Sequence, residues 1–470
     1  MEEAFAVEVA AAGLTSEAKR ACHGPASQGL LLREGLSDLP LATITLWLKP
    51  FDCGKLPIIG RALRAACQRE RPTLDLARGN TRTPIDSLLH ILRGGCFRVT
   101  NVWLGKEATD ETLAKLVQYE GFSGAVSNLS LHQCSKITKV APLGACTAVT
   151  FLDLSWCLKL SSVSGLVGCA KLHTISLTEC NELRTADGLG ACLALSTLYM
   201  SWCAELEDIT GLSGCRALKQ LQLTGCAKLA NLAGLGGCPG LEILNLNKMP
   251  RLSDLSELKS CRSLWSLSVS DCGRMSDVSA LGGCASLSQL DLSGSSRLEA
   301  VTGLGGCVSL RKLDLSGCTR LKDISALASC EKLEEVDLSN SAKLVEVGAL
   351  GSCARLREVD FFNCTGIESV SGLGGCKALV SLNLSGCRGL TDISGLASCE
   401  ALEWADISVC DHLADVSALS NCKKLTSLNL SNCRSLPDIR SLSACDSLHM
   451  LNLDGTNSEK ALDVIPMVPG

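Results

Sequence analysis

The sequence predicts an α/β solenoid, in which short parallel strands stack one above another, one strand per repeat of 23 residues. Two observations predict this fold. Fourteen cysteines, from Cys146 to Cys445, follow one another at intervals of 23 residues. Between them the apolar residues keep fixed positions, as in the segment 310–318, LRKLDLSGC. The 470 residues therefore form a repeat array and not the several globular domains that the length alone would suggest.

Each repeat divides into a strand and a turning segment. In the LxxLxL part the apolar residues alternate with polar ones, so the apolar side chains point to one side of a short strand and the others to the opposite side. The remaining dozen residues are too few for a long helix, and their Asp-Ile-Ser or Gly-Gly-Cys character predicts turns and one short 3-10 helix. A single repeat cannot bury its own apolar side, so stability comes from stacking.

A second set of cysteines has the same period and runs from Cys134 to Cys433. Met249, Ser295 and Ser341 fill positions in this set, which indicates packing and not chemistry. The chain has 29 cysteines but no Cys-x-x-Cys pair, and it is too long and too apolar to need a disulfide scaffold. We therefore predict reduced, buried thiols, no metal site, and a cytoplasmic or nuclear location.

From residue 126 to 455 the pattern resembles the leucine-rich repeat superfamily, whose motif is LxxLxLxx(N/C)xL, with cysteine at the turn position. The xDISxLxxC half is similar to the short repeats of internalin-like and phosphatase-regulator-like proteins. The uniform cysteine-bearing repeats also resemble those of kinetoplastid-type leucine-rich repeat proteins. The resemblance implies a gently curved arc with a parallel sheet of about 17 strands on its concave side.

The predicted domains follow from where this pattern holds. Residues 73–125 contain two irregular, longer repeats, of which the segment 109–116 resembles the helix-bearing repeat of F-box/leucine-rich-repeat proteins. Residues 126–455 contain fourteen to fifteen regular repeats. Residues 456–470 are predicted to be a C-terminal cap or tail.

Residues 1–72 do not repeat and are predicted to form a small helical cap. Within 36–72 the apolar residues have helical spacing interrupted by prolines and Gly54. Their order is similar to an F-box, the motif that docks onto the adaptor of a cullin-type ubiquitin ligase, although Gln68-Arg69-Glu70 replace the usual aromatic residue. The resemblance implies adaptor binding, whereas a plain cap that shields the first repeat is the alternative. The residues concerned are Leu39, Pro40, Ile44, Leu48 and Leu56.

Composition and motifs exclude several classes of function. The net charge of −5 is unlike that of a nucleic-acid-binding protein, which concentrates Lys and Arg on its surface. No apolar run reaches the roughly 18–20 residues of a membrane span, and the acidic N-terminus is unlike a targeting signal. Phosphate-binding, metalloprotease and serine-hydrolase motifs are not found, and the six histidines are scattered. We predict a non-enzymatic protein without a cofactor.

One candidate binding surface is acidic. The middle outward position of the strand carries aspartate in four consecutive repeats, at Asp291, Asp314, Asp337 and Asp360, and again at Asp406. Stacked about 5 Å apart, these like charges repel, and a basic partner surface would relieve the repulsion. The alternative is a solvated ladder of ordinary repeat residues, partly neutralised by neighbouring arginine and lysine.

The other candidate surface is aromatic. Only 3% of the residues are aromatic, yet four of them cluster in three neighbouring repeats and are predicted to form one exposed patch: Phe151, Trp156, Tyr199 and Trp202. Exposed Trp and Tyr side chains are frequent interface anchors. Packing of each tryptophan on the next repeat is the alternative. Trp265 and Trp404 are further candidates on the same face.

The sequence therefore predicts a scaffold that binds a protein through the concave face of the sheet. Two other functions stay open. One is a substrate receptor of a cullin-type ubiquitin ligase, in which residues 36–72 bind the adaptor. The other is a structural subunit of a larger assembly.

Overall fold

The computed structural model describes residues 8–10, 45–47, 73–75, 85–93 and 98–457. The chain divides into two compact units, residues Met1–Leu218 and Lys219–Gly470. Both are built from the same repeat, so each is a solenoid layer with a parallel sheet on one side and short 3-10 helices on the other.

The first unit holds eight of the described strands and three α-helices. Strand β1 is antiparallel to β2, and each strand from β2 to β8 is parallel to the next. The strands are β1 Glu8–Ala10, β2 Thr45–Trp47, β3 Thr73–Asp75, β4 Arg98–Trp103, β5 Asn128–Ser130, β6 Phe151–Asp153, β7 Thr174–Ser176 and β8 Thr197–Tyr199. The α-helices are α1 Ile85–Arg93, α2 Asp110–Leu116 and α3 Glu120–Ser123, and the 3-10 helices are Ala141–Ala145, Ser164–Gly168, Leu189–Ala191 and Thr210–Gly214.

The second unit holds eleven described strands, and each is parallel to the next. They are β9 Gln220–Gln222, β10 Ile243–Asn245, β11 Ser266–Ser268, β12 Gln289–Asp291, β13 Lys312–Asp314, β14 Glu335–Asp337, β15 Glu358–Asp360, β16 Ser381–Asn383, β17 Trp404–Asp406, β18 Ser427–Asn429 and β19 Met450–Asn452. The 3-10 helices are Leu235–Gly237, Ser256–Ser260, Ser279–Gly283, Thr302–Gly306, Ser325–Ser329, Gly348–Ser352, Ser371–Gly375, Ser394–Ser398, Ser417–Asn421 and Arg440–Ala444.

The predicted strand count is confirmed for the repeats. Strands β3 to β19 number 17, of which β5 to β19 are the fifteen regular ones. Helices α1 and α2 follow β3 and β4, where the sequence indicates the two longer repeats. Thr109 caps α2, because its hydroxyl accepts a hydrogen bond from the Thr112 backbone N–H.

The core is a column of aliphatic side chains repeated at each layer. In the repeat of residues 310–332, Leu313, Leu315, Leu321, Ile324 and Leu327 are at most 3% exposed. Paired strands stay in register at intervals of 23 residues, as Leu313 does with Val336. Burying a leucine stabilises a fold by about 1.5–3 kcal/mol. Identical layers therefore fix the register, since a shift by one residue would expose every leucine of the strand.

The cysteines pack as small apolar residues, and their thiols donate hydrogen bonds to the preceding repeat. The Cys318 Sγ lies 3.5 Å from the carbonyl oxygen of Leu292, and the same spacing of 26 residues recurs at Cys157 and Leu131, at 3.2 Å. The described cysteines are free and buried. Burial raises the pKa of Cys318 to about 12, so its thiol stays protonated at neutral pH.

The segment predicted as an F-box-like cap is only partly described. Thr45–Trp47 forms strand β2, parallel to β3, where the apolar spacing predicted a helix. Pairing with the first repeat explains the difference, because a residue series Thr-Leu-Trp also fits a strand at the end of a sheet. Leu39, Pro40, Ile44, Leu48 and Leu56 lie outside the described residues.

Candidate functional site

The exposed face of the second unit carries an open groove with a volume of about 560 Å³. It extends over strands β11 to β16 and ends at Trp404 in β17. One wall is the predicted aspartate ladder, Asp291, Asp314, Asp337 and Asp360. The other wall carries mixed side chains, among them Lys312, Glu335 and Glu358. The groove is thus lined by six carboxylates and one ammonium group.

The register of the strands puts the four aspartates side by side. Asp291 is paired with Asp314, Asp314 with Asp337, and Asp337 with Asp360. Neighbouring strands in a sheet are about 4.8 Å apart. Asn383 then separates Asp360 from Asp406, as the sequence indicates.

Each aspartate also has a structural role that the sequence did not reveal. Its carboxylate accepts a hydrogen bond from the backbone N–H two residues later, at 2.9 Å from Ser293 to Asp291 and 2.8 Å from Ser316 to Asp314. Asn383 accepts the same bond from Ser385 at 3.0 Å, so an amide can replace the carboxylate there. The bond turns the chain out of the strand, which explains why Asp and Asn share the position.

The basic residues near the groove pair with glutamates and not with the aspartates. Lys312 Nζ lies 2.7 Å from the Glu335 carboxylate, and Arg311 lies 2.7 Å from Glu334. The sequence left open whether these cations neutralise the ladder. In the structure their partners are the glutamates of the next strand.

The charge of the ladder is felt most strongly at its centre. Partial burial, followed by repulsion from Asp337 and Asp291, raises the pKa of Asp314 above its ordinary value. Asp314 is therefore the groove carboxylate whose negative charge is destabilised within the fold. A cation placed in the groove would relieve that cost.

The aromatic candidates of the second unit lie at different positions. Trp404 is the first residue of β17, is 39% exposed and closes one end of the groove. Trp265 precedes β11, is 38% exposed and does not line the groove. Asp406 lies in β17 and accepts a hydrogen bond from the Asn429 amide at 3.0 Å.

The aromatic candidates of the first unit occupy three positions of the repeat. Phe151 begins β6 and is 39% exposed, whereas Tyr199 ends β8 and is partly buried. Trp156 and Trp202 lie in the turns after β6 and β8, with 44% and 45% exposure. The two tryptophans thus share one column, while Phe151 lies at the other end of its strand.

The turn after each regular strand contains a residue in the left-handed region, with φ between 57° and 77°. Glycine and asparagine adopt this conformation most readily, and they fill eight of the fifteen positions. The positions are Gln133, Trp156, Glu179, Trp202, Gly225, Lys248, Asp271, Gly294, Gly317, Asn340, Asn363, Gly386, Val409, Asn432 and Gly455. The Gly-Cys and Asn-Cys pairs of the sequence carried this signal, although the sequence analysis did not use it.

A histidine, a serine and an aspartate also meet at the end of β6. The Ser155 hydroxyl donates to the Asp153 carboxylate, and His132 Nδ1 lies 3.0 Å from the same hydroxyl oxygen. The serine proton therefore points at Asp153, and the histidine N–H donates to the serine. This arrangement holds the turn and gives the serine no general base, which nucleophilic catalysis would require.

Within the described residues, no helix has the length and apolar character to span a bilayer. In the same part of the chain, no three His, Cys, Asp or Glu side chains come together as a metal site would require.

The comparisons with known proteins agree with the repeat. Residues 254–371, about a quarter of the chain, match the model of the BspA type leucine rich repeat region in six copies. None of the curated proteins matches the chain.

Solved structures with the same architecture are distant in sequence. An internalin (inlF) from Listeria monocytogenes is similar with a TM-score of 0.50 and 20% identity, over 63% of this chain and 84% of the internalin chain. The structure of a TLR13–ssRNA13 complex is similar with a TM-score of 0.55 and 16% identity, over 84% of this chain and 62% of that one. A leucine-rich repeat protein of Leptospira interrogans has a TM-score of 0.49 and 18% identity, over 74% and 94%. The chain carries leucine-rich repeats and has the leucine-rich-repeat solenoid fold.

Proposed function

We propose that this protein is a non-enzymatic scaffold that binds a protein partner through the exposed face of its repeat sheet. The observation that carries the proposal is the groove over β11 to β16, in which four aligned aspartates lack a basic neighbour of their own. The basic side chains beside them are engaged by Glu334 and Glu335. The partner surface that fits such a groove is basic.

The chemistry of the groove favours recognition over catalysis. Each aspartate has one carboxylate oxygen fixed by a backbone N–H, so the row of charges is held in place before a partner arrives. Fixed charges of one sign accelerate encounter with an oppositely charged partner and select against acidic ones. Trp404 at the end of the groove offers a flat surface for an arginine or an apolar anchor.

The fold supports the same function. The buried side of each repeat is nearly invariant, whereas the outward positions of the strands change from repeat to repeat. A surface of this kind can vary without loss of the core, so it is suited to specific binding.

The experiment compares two matched variants of the full chain. In the groove variant the four ladder aspartates are replaced by asparagine, which keeps the bond to the backbone N–H as Asn383 does. In the outer variant four exposed aspartates with the same kind of backbone bond, but outside the groove, are replaced by asparagine. The outer residues are Asp254, Asp277, Asp323 and Asp415. Both variants lose four negative charges.

Affinity purification is followed by mass spectrometry at low and high salt. We expect a salt-sensitive partner that the wild-type chain and the outer variant retain and the groove variant loses. Direct titration of that partner should then show a loss of affinity of at least tenfold in the groove variant. Equal retention by both variants would overturn the groove as the binding surface.

The ubiquitin-ligase alternative depends on residues 36–72, and its candidate adaptor-binding side chains lie outside the described residues. The F-box resemblance, the kinetoplastid-type resemblance and the role as a subunit of a larger assembly stay predictions from the sequence. The same purification tests the first of them, because a cullin-ligase adaptor lost on substitution of Leu39 and Ile44 by Ala would support it.

A further inference from the structure

The exposed tryptophans of the first unit occupy a backbone conformation that suits them poorly. Trp156 and Trp202 both have φ of 62°, in the left-handed region. A bulky residue there is an outlier, and such strain is found most often at functional sites. Five of the fifteen equivalent positions hold glycine, so the repeat itself does not require a large side chain.

Burial does not explain the two tryptophans either. They are 44% and 45% exposed, so much of each indole faces solvent. Val409 is the other large apolar residue at this position, and it is partly buried. Large exposed aromatic surface held in a strained turn contributes little to stability, and it is the kind of surface that a partner covers.

The residue between them in the column is acidic. Glu179 has φ of 63° and occupies the same turn in the intervening repeat. The three turns are tied to one another, because the Trp156 N–H donates to the Thr178 carbonyl at 2.8 Å and the Glu179 N–H to the Ser201 carbonyl at 2.9 Å. The order along the column is therefore fixed as indole, carboxylate, indole.

The spacing of the column fits a flat cation. Two repeats separate the tryptophans, which corresponds to about 9.5 Å between their backbones. A planar group between two rings needs about 7–8 Å, twice the usual contact distance. Tryptophans in adjacent repeats, about 4.8 Å apart, would leave no such space.

We propose that Trp156, Glu179 and Trp202 form a receptor for an arginine side chain presented by a partner protein. The guanidinium lies between the two indole rings, and the Glu179 carboxylate supplies the opposite charge. Arginine is the cation that stacks on aromatic faces and pairs with a carboxylate in one planar arrangement. The receptor lies in the first unit, so it is a second contact beside the acidic groove of the second unit.

The proposal depends on the proposed function only for its natural occupant, a protein. Its test uses a short capped peptide, acetyl-Gly-Arg-Gly-amide, and records the indole N–H signals of the six tryptophans by nuclear magnetic resonance. The titration is run on the full-length wild-type chain and on the groove variant. Binding that persists in the groove variant is separate from the groove.

We expect the signals of Trp156 and Trp202 to shift together with one affinity, in both proteins. The same peptide with glutamine in place of arginine should produce no shift. Trp156→Gly should abolish the shift of Trp202, and Glu179→Gln should weaken binding about tenfold. Trp265→Ser is the matched control, because it removes an equally exposed tryptophan outside this column, and it should change nothing.

Folding of the variants is monitored by the thermal unfolding midpoint. Since glycine suits the left-handed position, Trp156→Gly and Trp202→Gly should unfold at the same or a higher temperature than the wild type. Absence of a shift at Trp156 and Trp202, equal shifts at all six tryptophans, or a Trp202 shift that survives Trp156→Gly would each overturn the receptor. None of these results would bear on the groove.

Discussion

Replacing Asp314 by asparagine should stabilise the protein while it weakens the groove. Asp314 lies between Asp291 and Asp337 in register, and their charges raise its pKa. The substitution keeps the side-chain oxygen that accepts the Ser316 N–H, as Asn383 does in its own repeat. The change therefore removes the repulsion and leaves the turn intact.

The size of the effect follows from two opposing contributions. Two unit charges about 5 Å apart repel by ~0.8 kcal/mol in water and ~3 kcal/mol at an effective dielectric constant of 20. For partly exposed carboxylates we take about 1 kcal/mol for each of the two neighbours. The hydrogen bond from Ser316 loses its charged acceptor, which costs about 1 kcal/mol. The free energy of unfolding of Asp314→Asn should thus rise by about 1 kcal/mol.

The pH dependence has a defined sign. Because the pKa of Asp314 is raised in the folded state, the folded chain holds this proton more tightly than the unfolded chain. Ionising Asp314 therefore costs stability as the pH rises through its folded-state pKa. The gain from Asp314→Asn should be complete at pH 7 and should disappear below the ordinary aspartate pKa of about 3.9.

Urea-induced unfolding, followed by circular dichroism at low salt and in 1 M NaCl, measures the gain. At 1 M salt the Debye length is about 3 Å, so most of the gain should vanish. Asp153→Asn is the matched control, since Asp153 occupies the same position between Ser130 and Ser176 and has no acidic neighbour in register. That control should lose stability or stay unchanged. If Asp314→Asn also loses stability, or gains it independently of salt, the repulsion does not act as argued.

Three further predictions concern the repeat itself. Ser295→Cys should raise the free energy of unfolding by about 1–2 kcal/mol in urea titrations, because the buried Ser295 hydroxyl has no hydrogen-bond partner among the described residues; Ser341→Cys should gain less, since that hydroxyl already donates at 3.5 Å. Gly375→Ala should cost about 2–3 kcal/mol because its new methyl group would overlap a carbonyl of the preceding repeat, whereas Gly348→Ala, with nothing within 4 Å, should change the midpoint little. Cys318, with its pKa raised to about 12, should resist a thiol reagent at pH 8 until urea unfolds the chain, and labelling before unfolding would contradict its burial.

Periodicity was sufficient to predict the fold. The cysteine and leucine spacing predicted one strand per repeat, parallel pairing and buried thiols, all of which the structure shows. Such spacing is informative because every repeat solves the same packing problem, so an accidental pattern would not persist over fifteen repeats. Near the N-terminus there is no repetition to average over, and there Thr45–Trp47 forms a strand in place of the predicted helix.

The candidate sites were only partly predictable. The aspartate ladder followed from counting, because strand pairing in register turns a sequence interval into a distance. The partners of Lys312 and Arg311 could not be counted in this way, since a long side chain can reach either neighbouring column. The structure assigns them to Glu335 and Glu334, and this assignment leaves the aspartates as the uncompensated charges.

The sequence by itself determined the repeat, its register and which side chains face outward, since these depend on periods of two and 23 that local chemistry imposes. Only the tertiary structure decided which outward residues act together. The left-handed turns that place Trp156, Glu179 and Trp202 in one column depend on backbone angles fixed by hydrogen bonds between repeats, and no residue type among the three indicates that conformation. Contacts between layers determine these angles, so they become visible only when the layers are stacked.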